Sequence, residues 1–288
     1  MTKKWNGWGS GFLGMLIFSG SLPATRLAVM DFSPSFLTAA RAVIAAGLAA
    51  LLLALSRAPR PARADYIPLL VVAGGVVVGF PLLTGFALRH IDAARSVVFV
   101  GLLPLATAIF GVWRAGERPR PAFWLFSLLG AATIAGFALH SSGPGSLTGD
   151  LLMVAAIAAC GLGYAEGGRL ARHLGGWQVI SWALILALPL MTAIALMTLP
   201  ATWHHVSPAS WAALAYVSVF SMLVGFVFWY RGLALGGIAG VGQLQLLQPF
   251  FGLALAALVL GEPVAWSMIA AILAVVLCVV GARRFAGP

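Results

Sequence analysis

Residues 232–261 read GLALGGIAGVGQLQLLQPFFGLALAALVLG, thirty residues without an Asp, Glu, Lys or Arg. About 20 apolar residues in a helix cross a hydrocarbon core, so this tract is long enough to span a bilayer. It also carries Gln243, Gln245, Gln248 and Pro249 within apolar sequence. A second uncharged tract runs from His173 to Tyr230 and has room for more than one crossing. These two tracts decide the class of fold: all-α and polytopic, built in a membrane.

The rest of the chain agrees. Of its 288 residues, 61% are apolar and 8% charged, against about 45–50% and about 25% in soluble domains. That balance argues against a water-soluble enzyme. Apolar runs separated by Gly, Pro and charged residues predict ten helices, near 9–29, 34–56, 66–88, 94–113, 121–139, 148–168, 177–199, 209–230, 238–260 and 264–282. Ten helices of about 20 residues use about 200 residues. The remainder makes termini and short loops, with no stretch for a soluble catalytic or nucleotide-binding domain. Lys3 and Lys4 precede an apolar run that continues to Val29 without a cleavage site, so the first span is expected to be retained.

The net charge of +10 would suit nucleic acid only on a solvated basic face. Here the basic residues sit singly or in small groups between apolar runs. With the N-terminus in the cytoplasm, one side receives Lys3, Lys4, Arg57, Arg60, Arg63, Arg114, Arg118, Arg120, Arg169, Arg172, Arg231, Arg283 and Arg284, which is 13 of the 17 basic residues. Lys and Arg accumulate in cytoplasmic loops. Both termini are therefore expected on the cytoplasmic side, which also requires an even number of spans.

The two halves show a common spacing. Pro104 precedes Glu117 by 13 residues and Pro249 precedes Glu262 by 13 (117 − 104 and 262 − 249), with an offset of 145 between the halves. Each unit, 1–143 and 144–288, holds five predicted spans. Five is odd, so the second unit enters the bilayer inverted, an arrangement found in secondary transporters.

In these features the chain resembles the drug/metabolite transporter superfamily in its EamA-type branch. The resemblance covers essentially the whole chain. It rests on Phe18-Ser19-Gly20-Ser21-Leu22-Pro23-Ala24-Thr25-Arg26, the Pro104–Glu117 block and its Pro249–Glu262 counterpart. The family usually has Trp where this chain has Ser19. The resemblance implies ten transmembrane helices as two inverted repeats, and export of small metabolites. Size and pattern look most like bacterial amino-acid exporters, including YddG-like aromatic amino-acid exporters. It further implies residence in the bacterial cytoplasmic membrane.

Polar groups inside hydrocarbon are costly and mark function or helix–helix glue. At about 100° per residue, Gln245 and Gln248 lie about 60° apart on one helix face, and Gln243 points about 160° away from Gln245. An amide both donates and accepts, so these glutamines are candidates for substrate contact. Interhelical bonding is the competing reading. Tyr164, Trp229, Phe80, Phe99 and Thr84 are candidate cavity residues. For Trp229 and Tyr230, at the end of a predicted span, the ordinary reading is the interfacial aromatic belt. Arg41 lies about 10 Å inside its span at 1.5 Å per residue, and either faces a cavity or snorkels outward. Glu166 and Arg169 are spaced for a local ion pair. Pro23, Pro81, Pro104 and Pro249, with Pro189, fall within spans and are candidate hinges.

Cys160 and Cys278 lie in apolar runs, and the histidines (His90, His140, His173, His204, His205) sit near span ends. No metal site, cofactor or catalytic residue is expected. The expected partners are a small-molecule substrate and the lipid bilayer, without nucleic acid, and the working unit is expected to be a monomer. Secondary transport by alternating access is the leading reading, with a neutral amino acid as substrate. Organic cations, other metabolites and nucleotide sugars are rivals within that class. A membrane-embedded enzyme and a channel are rivals outside it.

Overall fold

The computed structural model describes residues 2–87, 89–91, 96, 99–139, 146–204, 206–260 and 266–287. Among the described residues all regular structure is helical, with no strand. The elements are α1 (Thr2–Ser19), α2 (Ser21–Ala28), α3 (Pro34–Leu55), α4 (Tyr66–Val72), α5 (Phe80–Ala87), α6 (Leu103–Ala115), α7 (Pro121–Leu139), α8 (Leu147–Leu170), α9 (Gly176–Met197), α10 (Pro208–Tyr216), α11 (Gly225–Gly236), α12 (Ile238–Gly242), α13 (Gln248–Leu260) and α14 (Trp266–Phe285). Short 3-10 and π segments join several of them. Among the described residues five helical paths are long and apolar enough to cross a membrane: Pro34–Leu55, Arg63–Ala87, Leu147–Leu170, Gly176–Met197 and Pro208–Gly236. Shorter apolar helices, Leu103–Ala115 and Pro121–Gly136, accompany them. Leu51, Trp113, Leu125, Leu196 and Leu277 are exposed on the outside, as an apolar solvent allows. The expectations about Glu262, His140 and His205 lie outside the described residues.

Proline has no N–H to give a helix interior but suits a first turn, where N–H groups have no intrahelical partner. The structure puts the four expected hinges at such starts. Pro23 is the third residue of α2, after the break at Gly20, and Pro81 is second in α5. Pro104 is second in α6 and Pro249 second in α13. They mark breaks or changes of helix type; Pro81 lies inside the continuous path Arg63–Ala87, directly after its π stretch. Pro189 alone of those considered lies inside a helix, in α9.

Two wide-turn interruptions stand out. A π-helical stretch, Ala73–Gly79, joins α4 to α5, and another, Val217–Val224, joins α10 to α11. Shifting the first by 145 lands on 218–224, inside the second. The most extensive contacts pair α1 with α11, α3 with α9, α7 with α14, α6 with α8, and α5 with α8. In each pair one helix comes from 1–143 and the other from 144–288, so one core is built between the halves. Its centre holds Met15, Phe18, Tyr164, Phe226, Trp229, Tyr230 and Leu233.

Candidate functional site

The 30-residue tract does not form one continuous helix. α12 stops at Gly242, residues Gln243–Leu247 form a 3-10 turn, and α13 starts at Gln248. Because Pro249 has no N–H, the Gln245 carbonyl lacks its usual i+4 donor. It accepts instead from the Gln248 N–H, which closes the tighter turn. Mid-helix 3-10 segments recur at functional hinges, and discontinuous helices line midplane sites in transporters.

This turn changes the disposition of the glutamines. Gln243 is fully buried and Gln245 is 3% exposed, whereas Gln248 is partly exposed. The expected sharing of one buried face by Gln245 and Gln248, with Gln243 turned away, is replaced by two buried amides, Gln243 and Gln245. A 3-10 turn advances about 120° per residue rather than about 100°, so α-helical spacing does not apply here. No side-chain amide atom of Gln243 or Gln245 makes a hydrogen bond of ordinary geometry; the Tyr164 hydroxyl is the polar group beside Gln245. An unpaired buried polar group costs about 1–3 kcal/mol, so this cluster needs a reason to persist.

The surroundings are aromatic. Tyr164 from α8 lies beside Gln245 and Cys160. Its ring centroid is 5.5 Å from Trp229 and 6.0 Å from Phe226, both on α11. Phe18 of α1 closes the group at 4.9 Å from Phe226 and 6.1 Å from Trp229. Trp229 and Tyr230 are both completely buried. The interfacial-belt reading of these two residues is therefore corrected: a belt residue keeps its polar tip in the headgroup layer, and these do not. The Tyr230 hydroxyl donates to the Gly163 carbonyl at 3.3 Å. The Trp229 indole N–H is buried without a partner.

α6 adds a residue that sequence reasoning missed. Thr107 is fully buried and its hydroxyl is unpartnered. Elsewhere Ser19, Ser127, Thr133, Thr198 and Ser218 donate to the carbonyl four residues earlier, the usual way to hide a hydroxyl in a helix. Thr107 does not. Two close approaches hold it in place. A Cβ on Gly242 would come 3.3 Å from the Thr107 methyl, and one on Gly161 would come 3.1 Å from its backbone nitrogen. Glycine at both positions lets α12 and α8 close onto α6. The signal was present as a Thr within the apolar run of α6, as it was for Ser181 and Trp182 on α9, whose polar atoms are also buried and unpartnered.

The other expected site residues sit on neighbouring elements. Phe80 and Thr84 are on α5, and the Thr84 hydroxyl is buried without a partner. Phe99 precedes α6 and lines an apolar recess of about 230 Å³ with Leu102, Phe110 and Ile157. Arg41 on α3 is partly buried, and its Nε has no partner. Glu166 pairs with Arg169 as its spacing implied, and also with Arg114 at 2.9 Å. Among the described residues no group of three or more His, Cys, Asp or Glu could hold a metal ion.

Chemically, an amide pair, a hydroxyl and an indole N–H within an aromatic wall can donate to and accept from a small molecule and enclose an apolar side chain. Three comparisons bear on what such a site serves. The model of the EamA-like transporter family matches residues 5–139 and again 147–283. A Bacillus subtilis (strain 168) protein named uncharacterized transporter YdeK is 61% identical over 286 residues, covering 99% of this chain and 100% of that protein. A protein of known crystal structure superposes with a TM-score of 0.83 at 20% identity, over 98% of each chain, which speaks to the fold alone.

Proposed function

The chain belongs to the EamA-like transporter family, and we propose that it exports a neutral amino acid, aromatic or aliphatic, across the bacterial cytoplasmic membrane. It is a multi-pass membrane transporter by family. The observation that carries the substrate reading is the buried Gln245 amide beside Tyr164, whose ring packs on Trp229 and Phe226. Amides bind either end of a zwitterion, and the aromatic faces receive an apolar side chain.

The proposed machinery is two inverted five-helix repeats, 1–143 and 144–288, with ten crossings and both termini cytoplasmic. The family model matches each half separately, and the two π segments occupy corresponding places; both support the repeat. Inverted repeats with a site between them work by alternating access. A monomer holds both halves and is the proposed working unit.

A counterflow experiment in proteoliposomes tests this reading. Preloaded neutral amino acid should accelerate entry of labelled amino acid. Flux of nucleotide sugars with none for any amino acid would overturn the substrate proposal. An organic cation is the second reading, because an aromatic wall also attracts cations. Counterflow by a quaternary amine and not by amino acids would select it.

A further inference from the structure

Resting on the transporter reading above, we propose that Glu117 is a latch that closes the Arg-rich, cytoplasmic end and positions the glutamine turn; transport requires its release. Glu117 lies in the loop after α6. Its Oε1 accepts from the Ile238 N–H and its Oε2 from the Ala239 N–H, each at 2.7 Å. Arg172, just beyond α8, donates to Oε1 at 3.1 Å. One carboxylate from the first half therefore ties together two elements of the second.

The three bonds converge on the start of α12. Those N–H groups have no intrahelical partner, and the helix end carries partial positive charge. A carboxylate bridging two of them is a charge-assisted cap. α12 is five residues long and passes directly into the 3-10 turn of Gln243 and Gln245. Whatever holds Ile238 and Ala239 therefore sets where the two amides stand.

The preceding residue makes α12 separable from α11. Gly237 has φ +92°, a conformation open to glycine and strained for other residues. It forms a joint, and movement there swings α12 without unwinding α11. On release, the N–H groups, Glu117 and Arg172 all meet water, so the exchange is reversible. Arg172 is already 41% exposed and Glu117 is 13% exposed.

Two further polar contacts between the halves tie loops instead. Asp65 pairs with His173 at this end (3.1 Å), and Asp31 accepts from the Ser207 N–H and hydroxyl at the other (2.9 and 2.8 Å). These tie loops beside α3 and α9 at both ends of the molecule, and mark a fixed frame. Glu117 instead holds the short element that carries the amides.

The test uses full-length protein with Cys160→Ala and Cys278→Ala, both native cysteines being buried. One reporter is Ala239→Cys, at a fully buried position in the capped turn. The second is Thr38→Cys, in the recess of Pro34, Pro81 and Arg89 at the opposite end. A membrane-impermeant thiol reagent is applied from each side in turn. Glu117→Ala should raise modification of the Ala239→Cys reporter about tenfold, the factor carried by about 1.4 kcal/mol. It should lower modification of the Thr38→Cys reporter, because opening one end closes the other. Arg172→Gln should move both in the same directions by less, and decides the matter if Glu117→Ala does not fold. Unchanged modification at Ala239→Cys overturns the latch. So does a rise there with no change at Thr38→Cys, which reports local fraying alone. Neither readout requires a known substrate, so failure of the amino-acid reading leaves this test intact.

Discussion

At the scale of single residues, Gln245 and Thr107 matter because they lack what their neighbours have. Five hydroxyls among the described residues satisfy themselves on the backbone one turn back, while Thr107 and both buried amides do not. This separates a binding role from helix glue. A glue residue stabilises, so removing it lowers stability; an unpaired buried amide costs about 1–3 kcal/mol, so removing it does not. Gln245→Met, close in shape, should therefore leave the melting temperature unchanged or raise it while cutting counterflow about tenfold. A fall in melting temperature with full transport would make Gln245 glue. Thr107→Val should likewise preserve folding and reduce flux several-fold, with Thr107→Ser restoring much of it, since roughly a hydrogen bond's worth of binding is at stake. The sequence identifies these as polar residues in apolar runs. Their lack of partners depends on what α6, α8, α11 and α12 bring alongside, which no local pattern records.

At the scale of elements, the prolines and the 3-10 turn act together. Pro23, Pro81, Pro104 and Pro249 are plain in the sequence, but periodicity alone runs each predicted span straight through them. The structure breaks the helix or changes its type just before each. The reason is local: proline has no N–H, which a first turn does not miss, and it removes a donor from a helix interior. Pro249→Ala restores the N–H that can bond the Gln245 carbonyl, allowing α-helix to run through residues 243–247. The expected outcome is equal or greater thermal stability with counterflow roughly tenfold slower, measured on the same preparation. Unaltered flux would mean that the tight turn is dispensable. The π segments had no sequence expectation. Each joins two helices of one path, and a wide turn arises where packing against another helix shifts the register by a residue.

At the scale of the whole molecule, the distribution of Lys and Arg sets the proposed orientation. Exposed Arg60, between α3 and α4, and exposed His204, between α9 and α10, lie on opposite faces under that reading. Arg60→Cys and His204→Cys should be modified by an impermeant reagent from the cytoplasmic and external sides respectively. Modification of both from one side would refute the topology. The matching π segments and the cross-half packing both fit a molecule whose second half repeats the first upside down. In such a molecule each half is the other's packing surface.

The sequence by itself determined the class of the protein, since the cost of charge in hydrocarbon leaves few alternatives for a chain that is 61% apolar and 8% charged. It also marked the tract that holds Gln243, Gln245 and Pro249, and it paired Glu166 with Arg169 through helical spacing. Only the tertiary structure decided that Trp229 and Tyr230 are core rather than belt, that Thr107 meets α12 and α8 across a glycine on each, and that Glu117 caps Ile238 and Ala239 from more than a hundred residues away. The physical reason is the range of the interactions: transfer into lipid and helical spacing act on neighbouring residues, whereas burial and hydrogen-bond satisfaction depend on which helices the fold sets side by side.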